Sequence, residues 1–183
     1  MKESFTDTDI LNMLLDPLQK EKGFRLLMKT YGKALYWHIR RIVVSKEDAE
    51  DALQEASIKI FRSIGSFRGE SKITSWIYRI CTNEAIQVLR NKRGFFQSLD
   101  SLGPGLVRTL EQETDLPADA VEVVFQKALL SLPAQQRIVF NMRYYDELSY
   151  EEIAEITGKK VGALKANYHY AQQKVRKCLQ ENF

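Results

Sequence analysis

The sequence predicts an all-α fold of two small helical domains joined by a flexible acidic linker, with a helix-turn-helix in the C-terminal domain. Three observations support this prediction. Apolar residues recur at spacings of three and four along most of the 183 residues, whereas alternating strand patterns are scarce. The chain has nine glycines and four prolines, so breaks between helices are few. Its charge also changes sign from one block to the next.

The net charge of +3 is unevenly distributed along the chain. Residues 21–94 contain fifteen bases and eight acids, and residues 121–183 contain nine bases and seven acids. Residues 95–120 contain one base and five acids. Two basic blocks on either side of an acidic connector indicate two modules that face a polyanion. The predicted organisation is a domain, a linker with weak helical pattern and a second domain, at residues 1–94, 95–119 and 120–183.

Apolar periodicity predicts five helices in the first domain. Ser45 is the predicted N-cap of the helix that reaches Ile64, because acids fill its first turn and Asp48 lies three residues on. The loop SFRGES separates this helix from the next one. The five predicted helices lie near residues 8–15, 18–30, 33–44, 46–64 and 72–91.

The second domain is predicted to begin with a helix from Ala120 to Leu130, followed by a helix that opens near Pro133. Ser149 and Glu152 form a capping-box pattern, and the short helix they start stops at Gly158. A long helix then runs from Val161 to about Leu179. A short helix, a glycine turn and a second helix are typical of a helix-turn-helix. The predicted wedge between these two helices consists of Ile153, Val161 and Leu164.

Positive charge is concentrated at the last helix. Residues 158–178 contain six bases and no acid, so this segment is predicted to meet a phosphate backbone. The same pattern also fits an ordinary helical hairpin with a solvated basic face.

A second polar surface is predicted on the loop and helix from Phe67 to Arg90. Its aromatic residues offer π-faces to unstacked bases, its cations suit phosphates, and its amides suit base edges. This mixture fits melted DNA better than an intact duplex, although Phe67 and Trp76 could instead pin the loop to the core. The aromatics are Phe67, Trp76 and Tyr78, the cations Arg68, Lys72, Arg79 and Arg90, and the amides Asn83 and Gln87.

The preceding helix carries an acidic patch inside the basic block. Such a patch would repel DNA, so we interpret it either as a solvated face or as a protein-docking face. It consists of Asp48, Asp51, Gln54 and Glu55.

Two long segments resemble known regions of one family. DAEDALQEASIKIFRSIGSFRGESKITSWIYRICTNEAIQVLRNKRG resembles the second region of bacterial extracytoplasmic-function sigma factors of RNA polymerase. ALLSLPAQQRIVFNMRYYDELSYEEIAEITGKKVGALKANYHYAQQKVRKCL is similar to their fourth region. The resemblance implies a transcription initiation factor that binds core polymerase, recognises a two-part promoter and helps to melt it.

The resemblance also implies roles for individual residues. The acidic patch matches the helix that docks on the clamp helices of the largest polymerase subunit. The segment from Phe67 to Arg90 matches the reader of the downstream promoter element, with Asn83 at a position that reads a flipped base and with Trp76 and Arg79 nearby. The family's linker threads toward the active-site and RNA-exit channels, a path that an acidic linker would suit as a partial mimic of nucleic acid.

The last helix matches the family's reader of the upstream promoter element in the major groove. Many relatives have several arginines where this chain reads KANYHYAQ, so their base specificity cannot be carried over. The residues assigned to upstream DNA are Lys159, Lys160, Lys165, Asn167, His169, Tyr170 and Lys174.

No catalytic constellation, P-loop or metal-ligand spacing is visible in the sequence, so we expect neither an enzyme nor a cofactor or metal. The absence of a signal-peptide pattern and of a long apolar run predicts a cytoplasmic protein without membrane insertion. The resemblance implies core RNA polymerase, duplex and melted promoter DNA, and an anti-sigma factor as partners. Two alternatives are a helix-turn-helix regulator that binds duplex DNA without polymerase and an inhibitory module that occupies polymerase.

Overall fold

A computed structural model describes residues 5–92, 103–112 and 120–182 of the chain, and these residues form helices and turns without any β-strand. The all-α prediction is therefore confirmed for this part of the chain. The helices before the predicted linker are α1 (Asp7–Leu15), α2 (Lys20–Val43), α3 (Lys46–Ser63) and α4 (Ile73–Asn91). The later ones are α5 (Gly103–Gln112), α6 (Ala120–Leu130), α7 (Ala134–Tyr144), α8 (Tyr150–Thr157) and α9 (Val161–Asn182).

Helices α1–α4 form an N-terminal bundle. The N-termini of α1 and α3 are capped, as their sequences favour. The side chains of Thr6 and Ser45 each accept a hydrogen bond from the backbone N–H three residues later. The Tyr31 hydroxyl donates to the Asp7 carboxylate and so joins α2 to α1. Burial, with Asp7 beside it, raises the pKa of Tyr31 to about 12, so this donor keeps its proton at neutral pH.

The prediction of two separate helices near residues 18–30 and 33–44 is wrong, because α2 runs unbroken from Lys20 to Val43. Gly32 lies inside this helix, where a glycine costs about 1 kcal/mol relative to alanine. Leu27 and Leu35 are completely buried on either side of it, and their burial in one core offsets that cost.

Helices α6–α9 form a C-terminal bundle that contains the predicted helix-turn-helix. Ser149 and Glu152 form the capping box that starts α8. Gly158 ends α8 with a φ of 69°, a left-handed conformation that a glycine adopts without steric cost. Ile153 and Leu164 of the predicted wedge are completely buried, and Val161 is half-buried.

Part of the predicted linker is helical. Residues 103–112 form α5, where the sequence pattern had indicated little helix, and α5 packs against α6. Gly103 begins α5 so close to α6 that a Cβ atom there would lie 2.7 Å from the Leu130 carbonyl oxygen. The rest of residues 95–119 lies outside the described residues, so flexibility of the linker stays a prediction.

The two bundles pack directly against each other. Helix α8 lies on α4, and α7 contacts α2. One buried apolar cluster runs through both bundles and includes Ile77 of α4 together with Met142 of α7 and Ile153 of α8. This packing brings the C-terminal bundle to the surface predicted to meet melted DNA.

Candidate nucleic-acid interface

The turn between α3 and α4 forms a cavity of about 490 Å³, which we call the loop pocket. A short 3-10 turn at Ile64–Ser66 ends α3, and α4 begins at Ile73. Arg68 and Arg79, two of the predicted phosphate ligands, line the cavity and are exposed. The other lining residues are Ser66, Phe67, Glu70, Ser71, Ser75, Trp76 and Glu155.

The aromatic residues of this segment are less open than the sequence predicted. Trp76 is 9% exposed and Tyr78 is 8% exposed. This burial agrees with the alternative in which Trp76 pins the loop to the core, whereas the prediction of a free π-face is wrong for Tyr78. Trp76 packs edge-on against the half-buried Phe67, with 5.6 Å between ring centroids. Tyr78 packs edge-on against His38 on α2, 4.9 Å away. An apolar ring gains more by closing the bundle core than by facing water, and the sequence pattern does not distinguish the two positions.

Asn83 lies in a different depression from the loop pocket. It lines a cleft of about 330 Å³, which we call the Asn83 cleft, between α3 and α4. The amide of Asn83 is exposed, and an ion pair of 2.6 Å joins Lys59 Nζ to Glu84 Oε1 at the same cleft. The remaining lining residues are Arg62, Ser63 and Ile80. Sequence reasoning missed Lys59 and Arg62, whose spacing of three on α3 was the available signal.

The other residues assigned to downstream DNA lie further along α4 or at its start. Arg90 and Gln87 are exposed, and the Gln87 amide donates to Asn91 Oδ1 at 2.8 Å. Lys72 is engaged by the other bundle, since its Nζ lies 2.9 Å from Glu152 Oε1 of α8. The hydrogen bond from Lys72 and those from Ser149 hold the pKa of Glu152 below its usual range, so this pair is ionised at neutral pH.

The acidic patch of α3 is presented to solvent. Asp51, Gln54 and Glu55 are exposed, whereas Asp48 is half-buried. The Asp48 carboxylate lies 2.6 Å from Lys92 Nζ at the end of α4, and the backbone N–H of Asp48 donates to Ser45 Oγ. The unshared negative charge of the patch therefore comes mainly from Asp51 and Glu55.

The residues assigned to upstream DNA lie along α9 and the turn before it. All are exposed except Asn167, which is half-buried, and Tyr170 is 55% exposed. Lys165 lies 5.7 Å from the centre of the Tyr150 ring, and Lys174 donates to Gln136 Oε1 at 3.3 Å. Tyr168 is half-buried and stacks on Phe140. The first turns of α9 thus present a basic and polar surface without an acid.

A buried polar cluster joins the two bundles, and sequence reasoning missed it. His38 Nδ1 lies 2.6 Å from Asp146 Oδ2, and Arg41 Nη1 lies 3.1 Å from Asp146 Oδ1. His38 Nε2 lies 2.8 Å from Thr82 Oγ1, which donates its proton to the Tyr78 carbonyl. We call His38, Arg41, Thr82 and Asp146 the interbundle cluster. No feature of the sequence pairs residues of α2 with Asp146 in the turn after α7.

Two family models match this chain in the order of its two bundles. Sigma-70 region 2 matches residues 27–95, and Sigma-70, region 4 matches residues 122–175. The chain is 32% identical over 170 residues to the ECF RNA polymerase sigma factor SigW of Bacillus subtilis, covering 88% of this chain and 91% of the relative. It is 31% identical over 186 residues to the ECF RNA polymerase sigma-E factor of Escherichia coli K12, covering 96% of this chain and 95% of the relative. The chain belongs to the extracytoplasmic-function sigma factors.

Solved structures agree with this sigma factor in fold. CnrH, solved with the cytosolic domain of CnrY, superposes with a TM-score of 0.72 at 18% identity over 97% of this chain and 99% of CnrH. RpoE of Bartonella quintana, solved with the anti-sigma factor NepR, superposes with a TM-score of 0.66 at 22% identity, over 87% of this chain and 98% of RpoE.

The sigma factor's candidate sites fall within the two matched regions. The acidic patch, the Asn83 cleft and the lining of the loop pocket other than Glu155 lie in the region 2 match, and Glu155 and the basic part of α9 lie in the region 4 match. Within the described residues, no group of histidine, cysteine and acidic side chains is arranged to hold a metal ion. None of the described helices combines the length and apolar character needed to span a membrane. The duplex-binding regulator is not favoured, because both sigma regions are present.

Proposed function

We propose that this sigma factor docks on core RNA polymerase through α3, melts and reads the downstream promoter element with α4 and the loop before it, and reads the upstream element with α9. The observation that carries this assignment is the exposed amide of Asn83, which follows the exposed Arg79 by one turn of α4, inside the region 2 match. An amide can pair with a base edge while guanidinium groups hold the flanking phosphates. RNA synthesis itself would be the chemistry of the polymerase, so no catalytic group is assigned to this chain.

Because the rings of Trp76 and Tyr78 are largely buried, we give them different roles at the DNA surface. Trp76 lines the loop pocket beside Phe67 although most of its surface is packed in the core. We assign it to the wall against which an unstacked base would rest, rather than to a freely standing stacking platform. Tyr78 is left out of the DNA surface, because its ring faces His38.

The domain limits of 1–94, 95–119 and 120–183 remain part of the proposal. The region 2 and region 4 matches leave residues 96–121 between them, and α5 lies in this interval. We further propose an anti-sigma factor as a partner, because the RpoE structure of similar fold was solved with the anti-sigma factor NepR. A cytoplasmic location follows from the proposal, since the promoter and the polymerase are there.

The docking assignment is tested by reversing the two unshared charges of the acidic patch. We expect Asp51→Lys with Glu55→Lys to weaken binding to core polymerase by roughly tenfold or more, because a complementary charged interface becomes repulsive. The measurement is a titration of labelled protein with core polymerase. Glu21→Lys with Glu181→Lys, which reverses two exposed charges elsewhere, is the matched control and should bind normally. Equal affinity of both double variants would refute docking through α3.

A further inference from the structure

Helix α8 contributes one acidic side chain to the lining of the loop pocket and a second one beside it. Glu155 lines the pocket together with Arg68 and Arg79, and the neighbouring Glu152 pairs with Lys72 at the start of α4. The hydrogen bond from Lys72 to Glu152, helped by the nearby charge of Glu155, raises the pKa of Lys72. Two carboxylates of the C-terminal bundle thus lie among three cations of the N-terminal bundle.

One of these carboxylates pairs with a cation assigned to phosphate, and the other lines the same pocket as the remaining two. The three cations are Arg68, Lys72 and Arg79, all assigned to the backbone of melted DNA. A carboxylate and a phosphate offer the same chemistry to a guanidinium or an ammonium, namely negative charge and acceptor oxygens. Nucleic acid cannot bind the same cations fully while α8 remains on α4, because the two anions compete for one set of donors.

The interbundle cluster is a second contact between the bundles, and its Asp146 lies just before α8 in the chain. His38 is completely buried, and the Asp146 side chain is 3% exposed. His38 Nδ1 lies 2.6 Å from Asp146 Oδ2, and its Nε2 lies 2.8 Å from Thr82 Oγ1. Both ring nitrogens are therefore engaged, one of them by the C-terminal bundle. Arg41 Nη1 lies 3.1 Å from the same carboxylate, so this ion pair exists only while the bundles are in contact.

We propose that α8 is an intramolecular inhibitor of the loop pocket, a DNA mimic that must leave α4 before melted promoter DNA can bind. The inference rests on the proposed function of the loop pocket. The closed arrangement places acidic side chains of α8 at this one site, whereas Asp51 and Glu55 of the docking patch and Lys165 of α9 lie elsewhere and are exposed. The closed protein can therefore meet core polymerase through α3 before the bundles separate, and separation frees the pocket for the promoter.

The test removes the mimicry without touching the residues assigned to DNA. Glu152→Gln with Glu155→Gln neutralises both carboxylates, and a glutamine can still accept the hydrogen bond from Ser149 that completes the α8 capping box. Glu147→Gln with Glu151→Gln is the matched control. It removes two exposed charges, one just before α8 and one on it. Both double variants change the net charge equally, which cancels general electrostatic effects on DNA binding.

The first readout is the distance between the bundles in the free full-length protein. Spin labels are attached to cysteines at the exposed positions 50 and 180, after Cys178→Ser; Cys81 is buried, and burial raises its pKa to about 12, so it stays unlabelled. We expect one narrow distance distribution for the parent and the control. For Glu152→Gln with Glu155→Gln, the open fraction should rise roughly two- to tenfold relative to the closed one.

The second readout is binding of a fluorescent, mixed-sequence single-stranded DNA oligonucleotide to the same proteins. Glu152→Gln with Glu155→Gln should bind more tightly than the control, by the same two- to tenfold. Asp146→Asn is a second variant, and it should open the bundles by more than about tenfold because it leaves the buried end of the Arg41 ion pair without its anion and weakens the contact to His38 Nδ1. The inference is overturned if distances and DNA binding are the same in the test and control variants.

A separate measurement distinguishes that failure from failure of the proposed function. Arg79→Ala in the polymerase holoenzyme should lose promoter melting whether or not α8 is inhibitory. Normal melting by Arg79→Ala would overturn the assignment of the loop pocket to DNA. If Arg79→Ala loses melting but the Glu152→Gln, Glu155→Gln variant keeps the parent's distances, the loop pocket still binds DNA. The proposal that α8 inhibits it would then be wrong.

Discussion

At the residue scale, the assignment to melted DNA depends on which side chains of α4 remain accessible. Asn83 and Arg79 are exposed on this helix, whereas Trp76 and Tyr78 are buried. A polar group at a helix surface next to a cleft can exchange water for a base edge without rearrangement of the core. The amide is thus better placed than either buried ring to determine base preference.

We expect Asn83→Ala to lower the amount of open promoter complex by roughly tenfold, the loss of one good amide–base pair. Alanine is a better helix former than asparagine, so α4 should not be destabilised by the change. Permanganate footprinting of thymines in the melted segment measures the effect, with core binding as a parallel measurement. Asn12→Ala, which removes another exposed helical amide, is the control. Full melting by Asn83→Ala would contradict the role of this amide.

Several residue-scale properties were predictable, and others were not. Charged and amide residues of an amphipathic helix lie opposite its apolar stripe, so the exposure of Asn83 and Asp51 follows from periodicity. The position of Trp76 does not follow, because an aromatic at the edge of the stripe can turn to either side. The engagement of Asp48 by Lys92 was also hidden, since it depends on how α3 crosses α4.

At the element scale, the best-predicted features are those with local causes. The capping box at Ser149 and the left-handed Gly158 fixed both ends of α8 in the prediction, because caps depend on neighbouring residues alone. Continuity of α2 was missed, since a glycine between two apolar stripes is locally ambiguous and only the shared core resolves it. Helix α5 was missed because its stability depends on packing against α6.

The basic surface of α9 has a specific consequence for DNA binding. We expect Lys165→Ala with Lys174→Ala to weaken binding of the holoenzyme to upstream promoter duplex and to lower the salt slope by up to about two. Each phosphate contact releases about one counterion, so losing two contacts should remove that much of the slope. Fluorescence anisotropy across a salt series measures it.

The control for this experiment is Lys22→Ala with Lys29→Ala, which removes two exposed lysines from α2. If both the α2 variant and the α9 variant have the salt slope of the unmodified protein, Lys165 and Lys174 make no phosphate contact. A slope lowered equally by both pairs would show a general charge effect rather than a binding face.

At the scale of the whole molecule, the packing of the bundles could not be predicted from sequence. His38 and Asp146 each look like an ordinary helical or turn residue, and nothing in their local pattern indicates that they meet. Charge segregation did indicate two polyanion-facing modules, and the region 2 and region 4 matches follow the same order. What it could not reveal is that the acids of α8 lie against the cations of the loop pocket.

The central claim is that this chain directs polymerase to promoters, and run-off transcription tests it most directly. Core polymerase, with and without the protein, is given a pool of genomic promoter fragments. We predict discrete transcripts that appear only with the protein and disappear with Asp51→Lys and Glu55→Lys. Binding to core polymerase without any protein-dependent transcript, on a pool that includes the promoter of the protein's own gene, would contradict an initiation role and favour an inhibitory module.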